Sequence, residues 1–379
     1  MPQPDKSTCK NPIRVCFIAP KAYPLFNTDI KSVFGGAEID LYHIATELAK
    51  SPDFDVSFIT ADYGQAEREN IENITVLKSF KLKQNAIFGA IKIWGSLKAA
   101  NAEIYVIKTA SLGVPLLSLF CKLNKRHFIY RTAHQSECDG SYARDNKIIG
   151  KLFVSALAKA DILFTQNHED TVNLKNLFQL ESIVIPNGHR ASEPKQEEKK
   201  SILWTGRSAD FKHPGRFLEL AEQFPAEKFV MICQQATEDT QYETLVSKAN
   251  SLANVEFIER VPFQEIDKYF RAAKVLVNTS ESEGFSNTFI QAFKAATPIV
   301  SYNVNPDDFL TKYDCGIFCQ GSTEKMKQAL QFILENDRYI ESGKNGRKLF
   351  EEQYDIQNII ELYKEHFRRI TEGSSACVE

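Results

Sequence analysis

The chain has 379 residues, of which 43% are hydrophobic and 25% charged. At roughly 150 residues per domain this length fits two or three domains, and the apolar content excludes a mainly disordered chain. A formal net charge of only −3 argues against non-specific binding of the whole molecule to nucleic acid, so no nucleic-acid partner is expected.

Residues 1–13 read as a polar tail without the apolar core of a signal peptide. No apolar run reaches the roughly 18 residues that span a bilayer; the richest, over 112–120, contains Pro115. The eight cysteines form no CxxC pair, and Cys315 and Cys319 have no His or Cys cluster beside them to complete a zinc site. Free thiols in a reducing, cytoplasmic setting are expected, and no metal.

Along the chain, short β-rich runs alternate with helical patterns. Strands are predicted over 14–19, 55–60, 103–107, 127–132, 161–165 and 182–185, with helices between most of them, for example 37–49 and 148–159. A polar stretch over 188–200 reads as an exposed linker. The alternation then restarts, with strands over 201–205, 229–233, 255–258, 275–278 and 298–301 and helices including 215–223 and 286–296. The tail from 323 to 371 is nearly all helical in pattern. This is an α/β sequence of two doubly wound, Rossmann-like domains, 14–187 and 201–352, with a terminal helix over 353–372. Ligands then belong in a cleft faced by the C-terminal ends of both sets of strands.

Four segments could carry chemistry. In the first, a strand ends at Pro20, a loop carries Gly35-Gly36, and a helix follows. This is neither the GxGxxG fingerprint nor a Walker loop, so NAD and P-loop readings are poor. His134 lies just past a strand, at the ligand end of a parallel sheet, although a lone His is commonly a packed residue. Arg207 follows a strand and Gly206, with Lys212 five residues on; the two cations could neutralise a diphosphate, or either could be a solvated charge. Between 278 and 300 a strand ends, Glu283-Gly284-Phe285 forms a loop and a helix starts at Ser286. A helix N-terminus suits a phosphate and Glu283 a sugar hydroxyl; the alternative is an ordinary capping loop.

These pieces, in this order, resemble the retaining glycosyltransferases of family four, which have the two-domain GT-B architecture. The resemblance spans about residues 14–370. It rests on the Gly35-Gly36 loop, the strand leading to His134, IPNG at 185–188, TGR at 205–207 with Lys212, EGF at 283–285 and TPIV at 297–300. It implies that Arg207 and Lys212 bind the donor diphosphate in place of a metal. Phe285, Ser286 and Asn287 would bond the distal phosphate, Glu283 the donor sugar, and His134 would line that sugar from the first domain. Gly35, Gly36, Gly206 and Gly284 would border the donor, and its base would lie near Cys233 and Arg260-Val261. The final helix would cross back to the first domain. The co-substrate would be a nucleotide-diphosphate sugar, with no cofactor and no metal. The chain departs from the pattern at Gln291, where the family has a second Glu on the ribose, at Cys233-Gln234, and at Thr297, commonly Gly.

The implied activity is transfer of a hexose-type unit to an acceptor hydroxyl with retained configuration, in cell-surface polysaccharide or glycolipid assembly. A nucleotide-sugar epimerase of the same fold, or a nucleotide-sugar-binding protein with impaired catalysis, is the alternative. Charge bears on the acceptor. Residues 1–190 carry a net +4 and the remainder −7. From 73 to 136, ten basic residues (Lys78, Lys81, Lys83, Lys92, Lys98, Lys108, Lys122, Lys125, Arg126, Arg131) face one acid, Glu103. This block is either a solvated face or a site for anionic lipid headgroups or a lipid-linked acceptor, its lysines interleaved with Phe80, Phe88, Ile91 and Trp94. The latter reading expects peripheral attachment to the cytoplasmic face of a membrane.

Overall fold

The strand-forming runs are apolar on both faces, as in IRVCFI at Ile13–Ile18, so they can only sit inside a sheet covered on both sides. The computed structural model describes residues 11–192, 197–236 and 239–375, and in it these runs form two sheets. The first contains β1 (Ile13–Ile18), β2 (Phe54–Thr60), β3 (Arg68–Ile71), β4 (Ile74–Lys78), β5 (Ile104–Lys108), β6 (His127–Arg131), β7 (Ile162–Thr165) and β8 (Ile183–Val184). Their order is β3-β4-β2-β1-β5-β6-β7-β8, and every pairing except β3 with β4 is parallel.

The second sheet contains β9 (Ser201–Arg207), β10 (Phe229–Gln234), β11 (Val255–Ile258), β12 (Ala273–Asn278), β13 (Ile299–Ser301) and β14 (Gly316–Phe318). Its order, β11-β10-β9-β12-β13-β14, is all parallel. Each sheet reverses its winding beside its first strand, between β1 and β5 and between β9 and β12. The crevice outside the carboxyl ends at such a point is where an open α/β sheet takes its ligand.

The hairpin β3–β4 is absent from the sequence reading. Its turn residues Glu72 and Asn73 both have positive φ, 53° and 63°, the conformation of a two-residue hairpin turn that matches strand twist. Asn before Ile-Thr-Val was the available signal. The start of the predicted linker also differs from expectation. Gly188 and His189 are buried, not exposed. The His189 N–H donates to the Tyr354 carbonyl at 3.0 Å and the Ile356 N–H to the His189 carbonyl at 2.9 Å. The chain thus crosses out of the first domain and back into it along one paired seam. A Cβ on Gly188 would stand 2.8 Å from Ile356 Cδ1, so glycine lets the two crossings touch. The return helix, Ile356–Ser375, buries Ile356, Ile359, Ile360, Tyr363 and Phe367 in the apolar cluster of the first domain.

Beneath the cleft lies a buried polar cluster. Asp40, from the helix Gly36–Leu48, accepts hydrogen bonds through Oδ2 from Lys108 Nζ at 2.7 Å and Arg131 Nε at 2.5 Å. Asn187 Oδ1 accepts from the same two cations, at 3.0 Å from Lys108 and 2.6 Å from Arg131 Nη2. These side chains are essentially inaccessible. Burial alone would raise the Asp40 pKa, but the two cations outweigh it and hold it at about 2. Burial likewise lowers Lys108, to about 8 against the pull of Asp40. Lys108 and Arg131 therefore do not belong to the basic surface block read from the sequence.

Since the folded Asp40 titrates below its unfolded value of 3.8, its stabilisation is complete above pH 3.8 and is lost as pH falls toward 2. Asp40→Asn leaves two buried cations short of a countercharge and should cost about 3–5 kcal/mol at neutral pH. Urea unfolding from pH 7 to pH 2 should show this gap shrinking through the acid limb. A constant gap would mean that Asp40 acts by packing alone.

Candidate functional site

The C-terminal ends of both sheets enclose an interdomain cavity of about 540 Å³. Of the residues singled out from the sequence, Gly35, Gly36, His134, Gly206, Arg207, Lys212, Val261, Glu283, Gly284, Phe285, Ser286, Asn287 and Gln291 all line it. Arg260 does not; its guanidinium reaches across the domains to the Ser32 carbonyl at 3.3 Å.

Arg207 is the last residue of β9 and Glu283 closes the loop after β12, so both stand at the switch point of the second sheet. Glu283 Oε1 accepts from Ser280 Oγ at 2.6 Å, Lys212 Nζ at 2.9 Å and Asn278 Nδ2 at 3.1 Å. Burial would raise its pKa, but the Lys212 charge and these donors hold the carboxyl at about 2. It is a fixed anion with Oε2 left to accept a hydroxyl. Lys212 is braced as well. A Cβ on Gly206 would come within 3.2 Å of its side chain, and its carbonyl accepts from Thr279 Oγ1, which in turn accepts from Trp204 Nε1. By contrast, Arg207 is half-buried and makes no hydrogen bond or ion pair with any described residue. It is an uncommitted cation facing the cavity.

The helix Asn287–Lys294 begins at Ser286, which makes no side-chain cap. Its first-turn N–H groups and positive dipole end therefore face the cavity. Ser286 Oγ instead pairs with Thr288 Oγ1 at 2.8 Å. Gln291, one turn further, is buried against the cavity and its amide finds no partner among the described residues. Thr297, another departure from the family pattern, is structural: its hydroxyl donates to the Phe270 carbonyl at 2.7 Å and accepts from Lys199 Nζ at 2.6 Å. Cys233 is buried in the second domain's core, and Gln234 reaches the cavity.

From the first domain, the His134 ring meets Phe211 edge-on at 5.8 Å. Its Nδ1 accepts from the Ser136 N–H at 3.1 Å. Burial lowers its pKa, more than Glu283 raises it, so the ring is neutral with its proton on Nε2. That N–H is a donor available to a ligand. The two domains touch through glycines. A Cβ on Gly284 would lie 2.8 Å from Gln166 Nε2 and 2.9 Å from the Ala133 carbonyl, and one on Gly36 2.7 Å from Asn287 Nδ2. Asn287 Nδ2 donates to the Gly36 carbonyl at 2.7 Å.

Sequence reasoning gave no role to Asn187, the Asn of IPNG. Its Nδ2 donates to Gln166 Oε1, Asn287 Oδ1 and the Phe285 carbonyl at 2.8, 3.1 and 3.3 Å. With Oδ1 on the buried cations, it joins the first domain's charge cluster to the second domain's segment at Phe285 and Asn287. Lys21, Glu38 and Gln166, also unassigned from sequence, line the cavity too, as does Lys108, read from the sequence as part of the basic block. Their positions at the ends of strands or the start of a helix were the signal.

Comparison with known proteins agrees with this geometry. A Haemophilus influenzae protein described as an uncharacterized glycosyltransferase is 22% identical over 346 residues, covering 87% of this chain and 95% of that one. The structure of sucrose-phosphate synthase from Thermosynechococcus elongatus superposes with a TM-score of 0.78 at 15% identity, over 96% of this chain and all of that one. WaaG, a glycosyltransferase involved in lipopolysaccharide biosynthesis, does so with a TM-score of 0.68 at 15% identity, over 93% and 99%. Residues 187–349, which hold Arg207, Lys212, Glu283 and the helix at Asn287, match the family model of glycosyl transferases group 1. Over nearly the whole chain the likeness is thus one of fold, the GT-B architecture, and over residues 187–349 it extends to the family model of glycosyl transferases group 1.

Proposed function

We propose that this protein transfers a hexose-type sugar from a nucleotide-diphosphate sugar to an acceptor hydroxyl, retaining the anomeric configuration and using no metal. The observation that carries this reading is the uncommitted Arg207 guanidinium beside the Lys212–Glu283 pair, facing an uncapped helix N-terminus within one interdomain cavity. A leaving diphosphate needs such a field. The epimerase alternative is not favoured, since the matching family is one of glycosyl transferases.

In the proposed step the bond from the sugar's anomeric carbon to the diphosphate oxygen breaks, and a bond to the acceptor oxygen forms on the same face. The acceptor proton passes to the departing phosphate oxygen. Arg207, Lys212 and the first-turn N–H groups at Ser286 and Asn287 stabilise the charge that builds on the diphosphate. Glu283 Oε2 and His134 Nε2–H hold sugar hydroxyls, and Gln291 accepts from the ribose, with the base near Val261. Closure of the glycine contacts at Gly36 and Gly284 excludes water. The exposed lysines Lys81, Lys83 and Lys92, near the outward Ile87, Phe88 and Ile91, form a peripheral contact with anionic membrane on the cytoplasmic face, in cell-surface glycan assembly. No helix among the described residues is long and apolar enough to cross a membrane.

Three outcomes follow. Arg207→Ala should lower kcat by roughly 10²–10³-fold with an unchanged Tm, since Arg207 holds no structural partner among the described residues; near wild-type turnover would remove it from the mechanism. Among UDP, GDP and ADP, one should raise the Tm equally with and without EDTA, a ligand at 100 times its Kd adding about 2.7 kcal/mol. A shift abolished by EDTA would refute metal independence. In co-sedimentation with anionic vesicles, reversing Lys81, Lys83 and Lys92 to Glu should weaken binding by at least about 100-fold, at about 1 kcal/mol per charge; an unchanged pellet would sink the membrane contact.

A further inference from the structure

Outside the donor cavity the two domains meet again through a charge. The helix His168–Phe178 starts just past β7, at the cleft end of the first sheet. Its own cap, Asn167 Oδ1, accepts from the Asp170 N–H at 2.7 Å, which leaves the N–H groups of His168 and Glu169 without a partner inside the helix. The second domain takes them. Asp307, in the loop after β13, accepts from the His168 N–H at 2.9 Å through Oδ2 and at 3.1 Å through Oδ1, and from the Glu169 N–H at 3.2 Å through Oδ1. A carboxylate on the positive end of a helix is held by charge as well as by hydrogen bonds. The loop is bent for this reach. Asp307 and Asp308 both have positive φ, 53° and 54°, a conformation that costs energy for a residue with a Cβ and that Asp tolerates better than most. Asp307, His168 and Glu169 are all exposed, so water can replace the contact if the domains part.

Both ends of this contact lie close to the donor cavity. On the first domain's side, Gln166 stands two residues before His168. It is buried, lines the cavity, and its Nε2 would be 2.8 Å from a Cβ on Gly284. On the second domain's side, Phe309 stands two residues after Asp307. Its buried ring packs on Phe285 at 5.3 Å and on Phe289 at 5.6 Å, that is, on the Glu283-Gly284-Phe285 loop and on the helix that follows it. Short, buried links thus join an exposed interdomain contact to both walls of the cavity.

We propose that Asp307 is a positioning residue. By capping the helix His168–Phe178 from the opposite domain, it holds the cleft closed with Gln166 and the Ala133-His134 segment seated on Gly284. It touches neither donor nor acceptor. Its kinetic consequence rests on the transfer proposed above, but the contact itself is testable without any nucleotide.

Three variants separate the possibilities. Asp307→Gly removes the carboxylate and suits the positive φ, so backbone strain does not confound it. Asp307→Asn keeps one acceptor oxygen and loses the charge. Asp308→Asn is the control, since the Asp308 carboxylate accepts from Asn305 Nδ2 within its own loop. Hydrogen exchange of the full-length, ligand-free protein, read by mass spectrometry, should be faster in Asp307→Gly over 167–171 and also over 34–38 and 283–289, on the facing walls of the cleft. For whichever of UDP, GDP and ADP binds the wild type, Kd should rise roughly threefold to tenfold in Asp307→Gly, less in Asp307→Asn, and not in Asp308→Asn. The donor KM should rise by a similar factor with kcat undiminished, because the closed state is less populated but unchanged once formed. Faster exchange confined to 167–171, an unchanged Kd, or a lower kcat at constant KM would overturn the proposal, since local fraying or a smaller folded fraction then accounts for the variant. If the wild type binds none of the three nucleotides, the donor reading fails, and exchange over 34–38 and 283–289 alone decides the role of Asp307.

Discussion

The whole arrangement depends on how Asp40, Lys108, Arg131 and Asn187 hold one another beneath the cleft, with Asp40 Oδ2 and Asn187 Oδ1 each shared by both cations and Asp40 Oδ1 left without a hydrogen bond. Two cations and one anion share a nearly inaccessible space, and burying charge is costly unless every group is hydrogen-bonded. Asn187 makes the cluster tolerable by accepting from both cations. Its amide N–H groups then point outward, to Gln166, Phe285 and Asn287. One side chain therefore links the charge balance of the first domain to the position of the second domain's segment at Phe285 and Asn287. The seam at His189 and Tyr354 follows immediately in sequence, so the hub sits where the chain changes domain.

The cluster also sets the electrostatics of the site. Counted formally it carries one excess positive charge, and Lys108 lines the interdomain cavity. Arg207 and Lys212 supply further positive charge from the facing domain, and the helix at Asn287 adds its dipole. Glu283 offsets Lys212 and is in turn fixed by three donors. Lys212 and Glu283 are thus fixed in the cavity by their mutual contacts, while the Arg207 side chain has no partner among the described residues. The glycines permit this closeness: at Gly36 and Gly284 a single Cβ would collide with the opposite domain.

Beside its switch point the first domain keeps a cavity of about 610 Å³ lined mainly by apolar side chains, Ile93, Leu97 and Leu116 among them, and the second places Arg207, Lys212 and Glu283 beside its own. Two similar sheets thus present different chemistries to a shared cleft, one largely apolar and one charged. The helix Ala86–Ala100 explains why the sequence left this ambiguous. Of the four aromatic and aliphatic residues interleaved with lysines, Phe80 and Trp94 pack on the domain core, while Phe88 and Ile91 face outward. Amphipathic periodicity cannot separate these cases when both faces of a helix are apolar.

The sequence by itself determined the two-sheet α/β plan, because strands buried on both faces must be apolar throughout and their alternation with helices forces parallel pairing. It also picked out Arg207, Lys212, Glu283 and the Ser286 helix start, since cations, a glycine and a helix N-terminus fall at strand ends, where local order alone places them in one cleft; that this N-terminus carries no side-chain cap only the structure showed. Only the tertiary structure decided which lysines and arginines of the 73–136 block are surface charges. Lys108 and Arg131 are 68 and 91 residues from Asp40, and no local pattern reveals an ion pair of that separation. The role of Asn187 was hidden for the same reason: its partners lie up to 100 residues away, and a hydrogen-bond hub has no period in sequence. The chamber beneath Ile93 and Leu97 is likewise a property of packing, since a void is defined by what three elements fail to fill.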